Sequence, residues 1–114
     1  MSPLTPQQTD FRNRVTALAQ RIAPRYRIPW FLMAATAILE SGWNESAPSK
    51  QLNNFFNLRS TRTGHFRKFR CMAESFHAFG KAFISLPTDP EYLSTLIQII
   101  PLLAQRSSHA QRSR

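Results

Sequence analysis

Residues 28–44, IPWFLMAATAILESGWN, constrain the fold of this 114-residue chain more than any other stretch. From Ile28 to Leu39 the run is apolar, with Thr36 its only polar side chain. A helix with no polar face belongs in the middle of a domain, and one this short cannot span a bilayer. Pro29, whose φ is fixed, suits the first position of such a helix. The pattern therefore predicts a central core helix that the remaining elements must cover.

The end of that helix carries the chemistry. Gly42 is a natural left-handed stop, which places Glu40 in the last turn, where a helix bears negative partial charge. A carboxylate is misplaced there. The mismatch costs roughly 0.3–1 kcal/mol and, with partial burial, favours the protonated carboxyl. A Glu that keeps its proton near neutral pH is what a general acid must be. The competing expectation is a Glu that simply emerges into water at a helix end. Trp43 also has two readings: it folds back on Ile38 to close a Schellman-type stop, or it contacts a ligand.

Four stretches, in order, carry a resemblance. AILESGWN (37–44) is similar to ALESGWG, and NNFFNLRS (53–60) to NNLFGIK; FRKFRCMAESFHAF (66–79) is similar to FRKYDSLEESFDDY, and TDPEYLSTLIQII (88–100) to TDPNYAEKLIKII. These are segments of the glycoside hydrolase family 73 glucosaminidases, which include the flagellar peptidoglycan hydrolase domain and many bacterial autolysins. The chain resembles that family from residue 28 to residue 100. The resemblance implies a mainly α, lysozyme-like helical domain that cuts peptidoglycan glycan strands as an endo-β-N-acetylglucosaminidase. It implies Glu40 as the catalytic acid, with Ser41, Trp43, Asn54, Phe56 and Phe69 expected to bind substrate. Phe69 stands where relatives often have Tyr, and Leu86 and Pro87 replace their Tyr-Ala, so two hydroxyls are lost.

The chain departs from its relatives between the second and third segments. Relatives carry a longer insertion there, a small β-lobe holding a second acidic residue. Here the composition predicts only two short strands, 57–59 and 66–69, around a turn at Gly64, a reduced or absent lobe. Between Glu45 and Glu74 there is no Asp or Glu. Inverting glycosidases need a second carboxylate roughly 6.5–9.5 Å from the first, and retaining ones a nucleophile at about 5–5.5 Å. Glu74, Asp89 and Glu91 read as helix-start residues, which leaves Glu45 as the candidate nearest Glu40 in sequence. Two chemistries need only one protein acid. The sugar's own 2-acetamido oxygen can attack, or its 6-hydroxyl can, giving the 1,6-anhydro products of lytic transglycosylases, whose ES motif Glu40 and Ser41 also resemble. A third reading is a degenerate module that binds peptidoglycan or a partner without cutting.

The other elements follow from local signals. Thr5, Pro6 and Gln8 form a capping box, and Phe11, Val15, Leu18, Ala19 and Ile22 give an amphipathic helix over 6–23. Pro24 to Arg27 read as a connector. Residues 45–50, with Pro48, read as a loop, and Ser49 as the cap of a single turn through Leu52. A helix over 72–84 follows Cys71, a weak cap. The last helix begins at Asp89 and Pro90, buries Leu93, Leu96, Ile97 and Ile100, and ends at Pro101. The expectation is one domain over 1–114, with its core in 5–104 and a polar, basic tail over 105–114.

Composition narrows the partners. A formal charge of +9 favours anionic ones. The cations are spread along the chain without a helix-turn-helix, zinc or RNA-binding motif, so nucleic acid is disfavoured, whereas a bacterial wall is also anionic. The single cysteine excludes an internal disulfide, and His65, His77 and His109 lack ligand spacing, so no metal or cofactor is expected. The N-terminus MSPLTPQQTD has no apolar signal-peptide core. The expected site of action is the periplasm or cell wall, reached through a secretion or flagellar apparatus or by phage lysis.

Overall fold

Thr5 opens the first helix through the expected capping box: its hydroxyl accepts the Gln8 N–H, and the Gln8 side chain accepts the Thr5 N–H, both at 3.0 Å. In the computed structural model, which describes residues 3–83 and 90–104, helix α1 then runs Pro6–Ile22. Its stripe of Phe11, Val15, Ala19 and Ile22 is buried. Arg12 is buried as well, and its Nη1 donates to the Leu102 carbonyl at 3.0 Å, tying α1 to the far end of the chain. Ala23–Tyr26 continue as a 3-10 turn, so the connector is itself helical, and Arg27 leaves it in the left-handed region.

Helix α2, Trp30–Ser41, is the central element, with every residue from Leu32 to Ile38 buried and α1 and α5 packed against it. Pro29 stands one place earlier than expected, at the N-cap, where its carbonyl accepts the N–H groups of Leu32 and Met33. Thr36 is satisfied within the helix, donating to the Leu32 carbonyl at 2.7 Å. At the other end Gly42 adopts φ 57°. The Trp43 N–H reaches the Ile38 carbonyl at 3.0 Å and the Gly42 N–H the Leu39 carbonyl at 3.2 Å, the paired bonds of a Schellman stop.

Two expectations fail between α2 and the next long helix. The segment read as a loop is helix α3, Ala47–Leu52, capped by Ser46 rather than Ser49: the Ser46 Oγ accepts the Ser49 N–H at 3.3 Å. Pro48 lies in the first turn, where no N–H is required, so it does not break the helix. The two strands do not form either. One antiparallel bridge joins Arg59 and Phe66, with the Arg59 guanidinium 3.9 Å from the Phe66 ring centroid. The Asn54 amide takes up backbone groups of Leu58 and Arg67 beside it, which stops the bridge from extending into a ladder.

Helix α4, Met72–Ala82, ends short of the predicted 72–84 because Phe83 is extended; Ile84 lies outside the described residues, as do Leu86, Pro87, the Asp89 cap and the 105–114 tail. Cys71 occupies the N-cap without a side-chain bond, and the Glu74 carboxylate accepts the Arg70 N–H at 2.8 Å instead. Helix α5, Pro90–Ile99, passes into a 3-10 turn, Ile100–Ala104. Leu96, Ile99 and Leu103 are buried, while Ile97 is 66% exposed, so the buried stripe is rotated from the one expected.

Tyr26 clips the turn after α1 to α4. Its hydroxyl lies 2.8 Å from His77 Nδ1, and a Cβ placed on Gly80 would run into its ring at Cδ2. Burial, then the charges of Arg25, Lys81 and Arg21, push the His77 imidazole below its ordinary value. Alanine at Gly80 would gain about 1 kcal/mol of helix propensity but must displace that ring. Gly80→Ala should therefore lose a net of about 1–2 kcal/mol in urea unfolding, since overpacking outweighs propensity here.

Candidate active site

Glu40 is half-buried at the end of α2, and each of its carboxylate oxygens has a fixed donor. The Tyr92 hydroxyl donates to Oε2 at 2.9 Å and Asn57 Nδ2 to Oε1 at 3.0 Å. The same Asn57 nitrogen also donates to the Glu40 backbone carbonyl at 2.9 Å, satisfying an acceptor that the helix end leaves open. Both donors are neutral, and among the described residues no arginine pairs with Glu40. A carboxyl held this way keeps its orientation in either protonation state, because a phenol oxygen can accept a hydrogen bond as well as donate one.

Packing brings these groups together. Tyr92 stands in the first turn of α5, the helix that covers α2. Burial pushes its phenol well above the usual range, the hydrogen bond to Glu40 and that residue's negative charge add to the effect, and a contact with Thr36 opposes it. Asn57 sits at φ 55°, a left-handed position that Asn tolerates and that the similar segment NNLFGIK fills with Gly. Asn54 secures that corner: its Nδ2 donates to the Leu58 and Arg67 carbonyls at 2.8 and 2.9 Å, and its Oδ1 accepts the Leu58 N–H at 3.0 Å. An open cavity of about 430 Å³ lies over the carboxyl, lined by Leu39, Glu40, Asn57, Glu91, Tyr92 and Thr95.

Of the residues expected to form a site, only Glu40 lines this cavity. Ser41 is fully buried and its Oγ accepts the Asn44 N–H at 3.0 Å, so it holds the turn and is out of reach of a ligand. Asn54 is fully buried as the backbone clamp just described. Phe56 is core: it stacks on Phe79 with centroids 4.3 Å apart and meets Phe76 edge-on. Phe69 is buried too, and it borders a different cavity with Arg67, Lys68, His77 and Lys81. Trp43 packs against the core and lines a third groove with Thr5, Gln7, Phe11 and Glu45. In a domain this small the aromatic rings are needed inside, and that need wins over ligand contact.

Tyr92, Asn57 and Thr95 were not singled out by sequence, and Glu91 read as a helix-start residue. Tyr92 was within reach, because TDPEYLSTLIQII and TDPNYAEKLIKII share that tyrosine. Asn57 offered no chemical signal.

A family model described as mannosyl-glycoprotein endo-β-N-acetylglucosaminidase matches residues 16–105. Among solved structures, the catalytic domain of the autolysin Auto from Listeria monocytogenes is similar with a TM-score of 0.68 at 20% identity, over 89% of this chain and 86% of that one. The shared architecture is a mainly α, lysozyme-like domain, and among the described residues of this chain one isolated bridge stands where strands were expected. Curated protein sequences give no match.

Replacing Asn54 by Ala deprives the Leu58 N–H and the Arg67 carbonyl of their side-chain partner; urea unfolding should show a loss of about 1–3 kcal/mol. In a Tyr26→Phe background, phenolate absorbance reports Tyr92 alone. Burial and a neighbouring negative charge both disfavour the phenolate, so ionisation should begin well above the ordinary value of about 10. Adding Glu40→Gln removes the charge and should bring the step down; an unchanged step would mean that the two side chains do not touch.

Proposed function

Because the chain belongs to the endo-β-N-acetylglucosaminidase family, whose model spans residues 16–105, we propose that Glu40 is the general acid that protonates the bridging oxygen of a peptidoglycan glycan strand. The chain is a glycoside hydrolase acting on peptidoglycan; the finer assignment is to the bond that leaves a reducing N-acetylglucosamine end.

Support comes from one observation: the Glu40 carboxyl faces an open cavity with a donor on each oxygen. As its proton passes to the leaving oxygen, charge develops on the carboxylate. Hydrogen bonds to a charged acceptor are stronger than those to a neutral one, so Tyr92 and Asn57 stabilise the proton-transferred state more than the starting acid. The donors are already in place, so little reorganisation accompanies the step. The cationic surface suits the anionic wall. Among the described residues no helix is long and apolar enough to cross a membrane. Delivery to the periplasm or wall would run through a secretion or flagellar apparatus, or follow phage lysis.

Purified sacculi incubated with the protein should release muropeptides that end in reducing N-acetylglucosamine by mass spectrometry. Reducing N-acetylmuramic ends would reassign the bond, and anhydro ends would make the enzyme a transglycosylase. Glu40→Gln should lower the rate by about 100- to 10,000-fold with unchanged unfolding. An amide variant that digests as well as the parent would remove Glu40 from the chemistry. Saturable pelleting on sacculi with nothing released would indicate a binding module.

A further inference from the structure

Building on the assignment of Glu40 as the acid, we propose that the side-chain carbonyl of Asn57 receives the 2-acetamido group of the sugar being cut and holds it as the attacking nucleophile. Asn57 Nδ2 lies 2.9 Å from the Glu40 backbone carbonyl and 3.0 Å from Glu40 Oε1. A backbone carbonyl can only accept, so the nitrogen must face it and the amide cannot be turned over. Both amide hydrogens are thereby engaged, which leaves Oδ1. Among the described residues nothing donates to that oxygen, and it is not sealed from solvent. Asn57 lines the open cavity with Glu40 and Tyr92.

Placement suits an acetamido sugar. The oxygen and nitrogen of an amide share one carbon, so Oδ1 lies within roughly 5 Å of Glu40 Oε1. In a 2-acetamido sugar the bridging oxygen and the amide nitrogen stand on adjacent ring carbons, so the groups that serve them must be neighbours too. An acid that reaches the bridging oxygen therefore has an acceptor for the acetamido N–H beside it. The backbone at φ 55° is equally open to glycine, so the turn alone does not call for this side chain. The connection from Leu58 to Arg67 holds no acid, and a sugar that supplies its own nucleophile needs no second protein carboxylate.

Both halves of the reaction balance without a further reagent. The acetamido oxygen bonds to the anomeric carbon, the bond to the bridging oxygen breaks, and that oxygen takes the Glu40 proton. Positive charge passes to the acetamido nitrogen, which keeps its hydrogen, and Asn57 Oδ1 holds that charged N–H more strongly than the neutral one. A water oxygen then bonds to the anomeric carbon, the acetamido oxygen leaves with its electron pair, and the water proton passes to the Glu40 carboxylate. Two displacements at one carbon retain configuration.

The test uses the full chain on a soluble glycan fragment from sacculi and on the same fragment carrying fluorinated N-acyl groups. The first product should keep its configuration by NMR. Turnover should fall stepwise from acetyl to fluoroacetyl to difluoroacetyl, because fluorine withdraws electrons from the attacking oxygen. Asn57→Gly should keep a cooperative urea transition, lower kcat by about 10- to 100-fold, and weaken the binding of N-acetylglucosamine thiazoline, a stable mimic of the cyclic intermediate, by a similar factor. A glycine variant that binds the thiazoline as tightly as the parent would mean that Asn57 only orients Glu40, and overturns the proposal. An inverted product, or turnover indifferent to fluorine, overturns it as well; loss of activity in Glu40→Gln beside any of these results leaves Glu40 as the acid. Full activity in Glu40→Gln, or none in the parent, overturns both.

Discussion

Covering α2 on every side is the constraint on which the rest of the structure depends. Seven consecutive residues, Leu32 to Ile38, must be kept from water, and α1, α5 and the two 3-10 turns are arranged to do so. Burial of large side chains contributes on the order of 1.5–3 kcal/mol each, far more than any surface contact in the molecule. The helix can therefore emerge only at its ends. The end that carries Glu40 comes out beside α5, so the contact between Tyr92 and the carboxyl follows from core packing.

The same economy shapes the connection between Asn53 and Phe69. Without enough residues for a sheet, the chain closes that side with a buried amide, Asn54, and with the stacked rings of Phe56, Phe79 and Phe76. A side-chain amide can satisfy three backbone groups in one place, where a ladder would need two strands to reach them. The corner is consequently short and rigid. It delivers Asn57 to Glu40 and leaves the cavity open on one side.

Much of this was legible before any coordinates. The capping box at Thr5, the buried run of α2, its Schellman stop and the position of Glu40 all follow from signals within a few residues of each other. Errors arose where long-range packing overrides local preference. Pro48 looked like a breaker, although a proline in a first turn gives up nothing, and the strands at 57–59 and 66–69 lost their partners to Asn54. Phe56 and Phe69 fall in segments similar to the family's, but similarity of sequence does not say which side of a ring faces water. Glu91 read as a helix-start residue and Tyr92 went unmarked, because only the packing of α5 on α2 shows that their turn faces Glu40.

Beyond Glu40 the backbone holds three successive residues, Gly42, Trp43 and Asn44, at φ 57°, 59° and 67°. Glycine takes this without penalty and asparagine tolerates it, but for Trp43 the conformation costs roughly 1–2 kcal/mol. The Trp43 ring on the core and the Ser41 hydroxyl under Asn44 keep the corner wound against its tendency to relax. The direction in which Glu40 leaves its helix is thus set by a tensioned elbow, and slackening that latch at Ser41 or Trp43 would turn the carboxyl away from Tyr92 and Asn57.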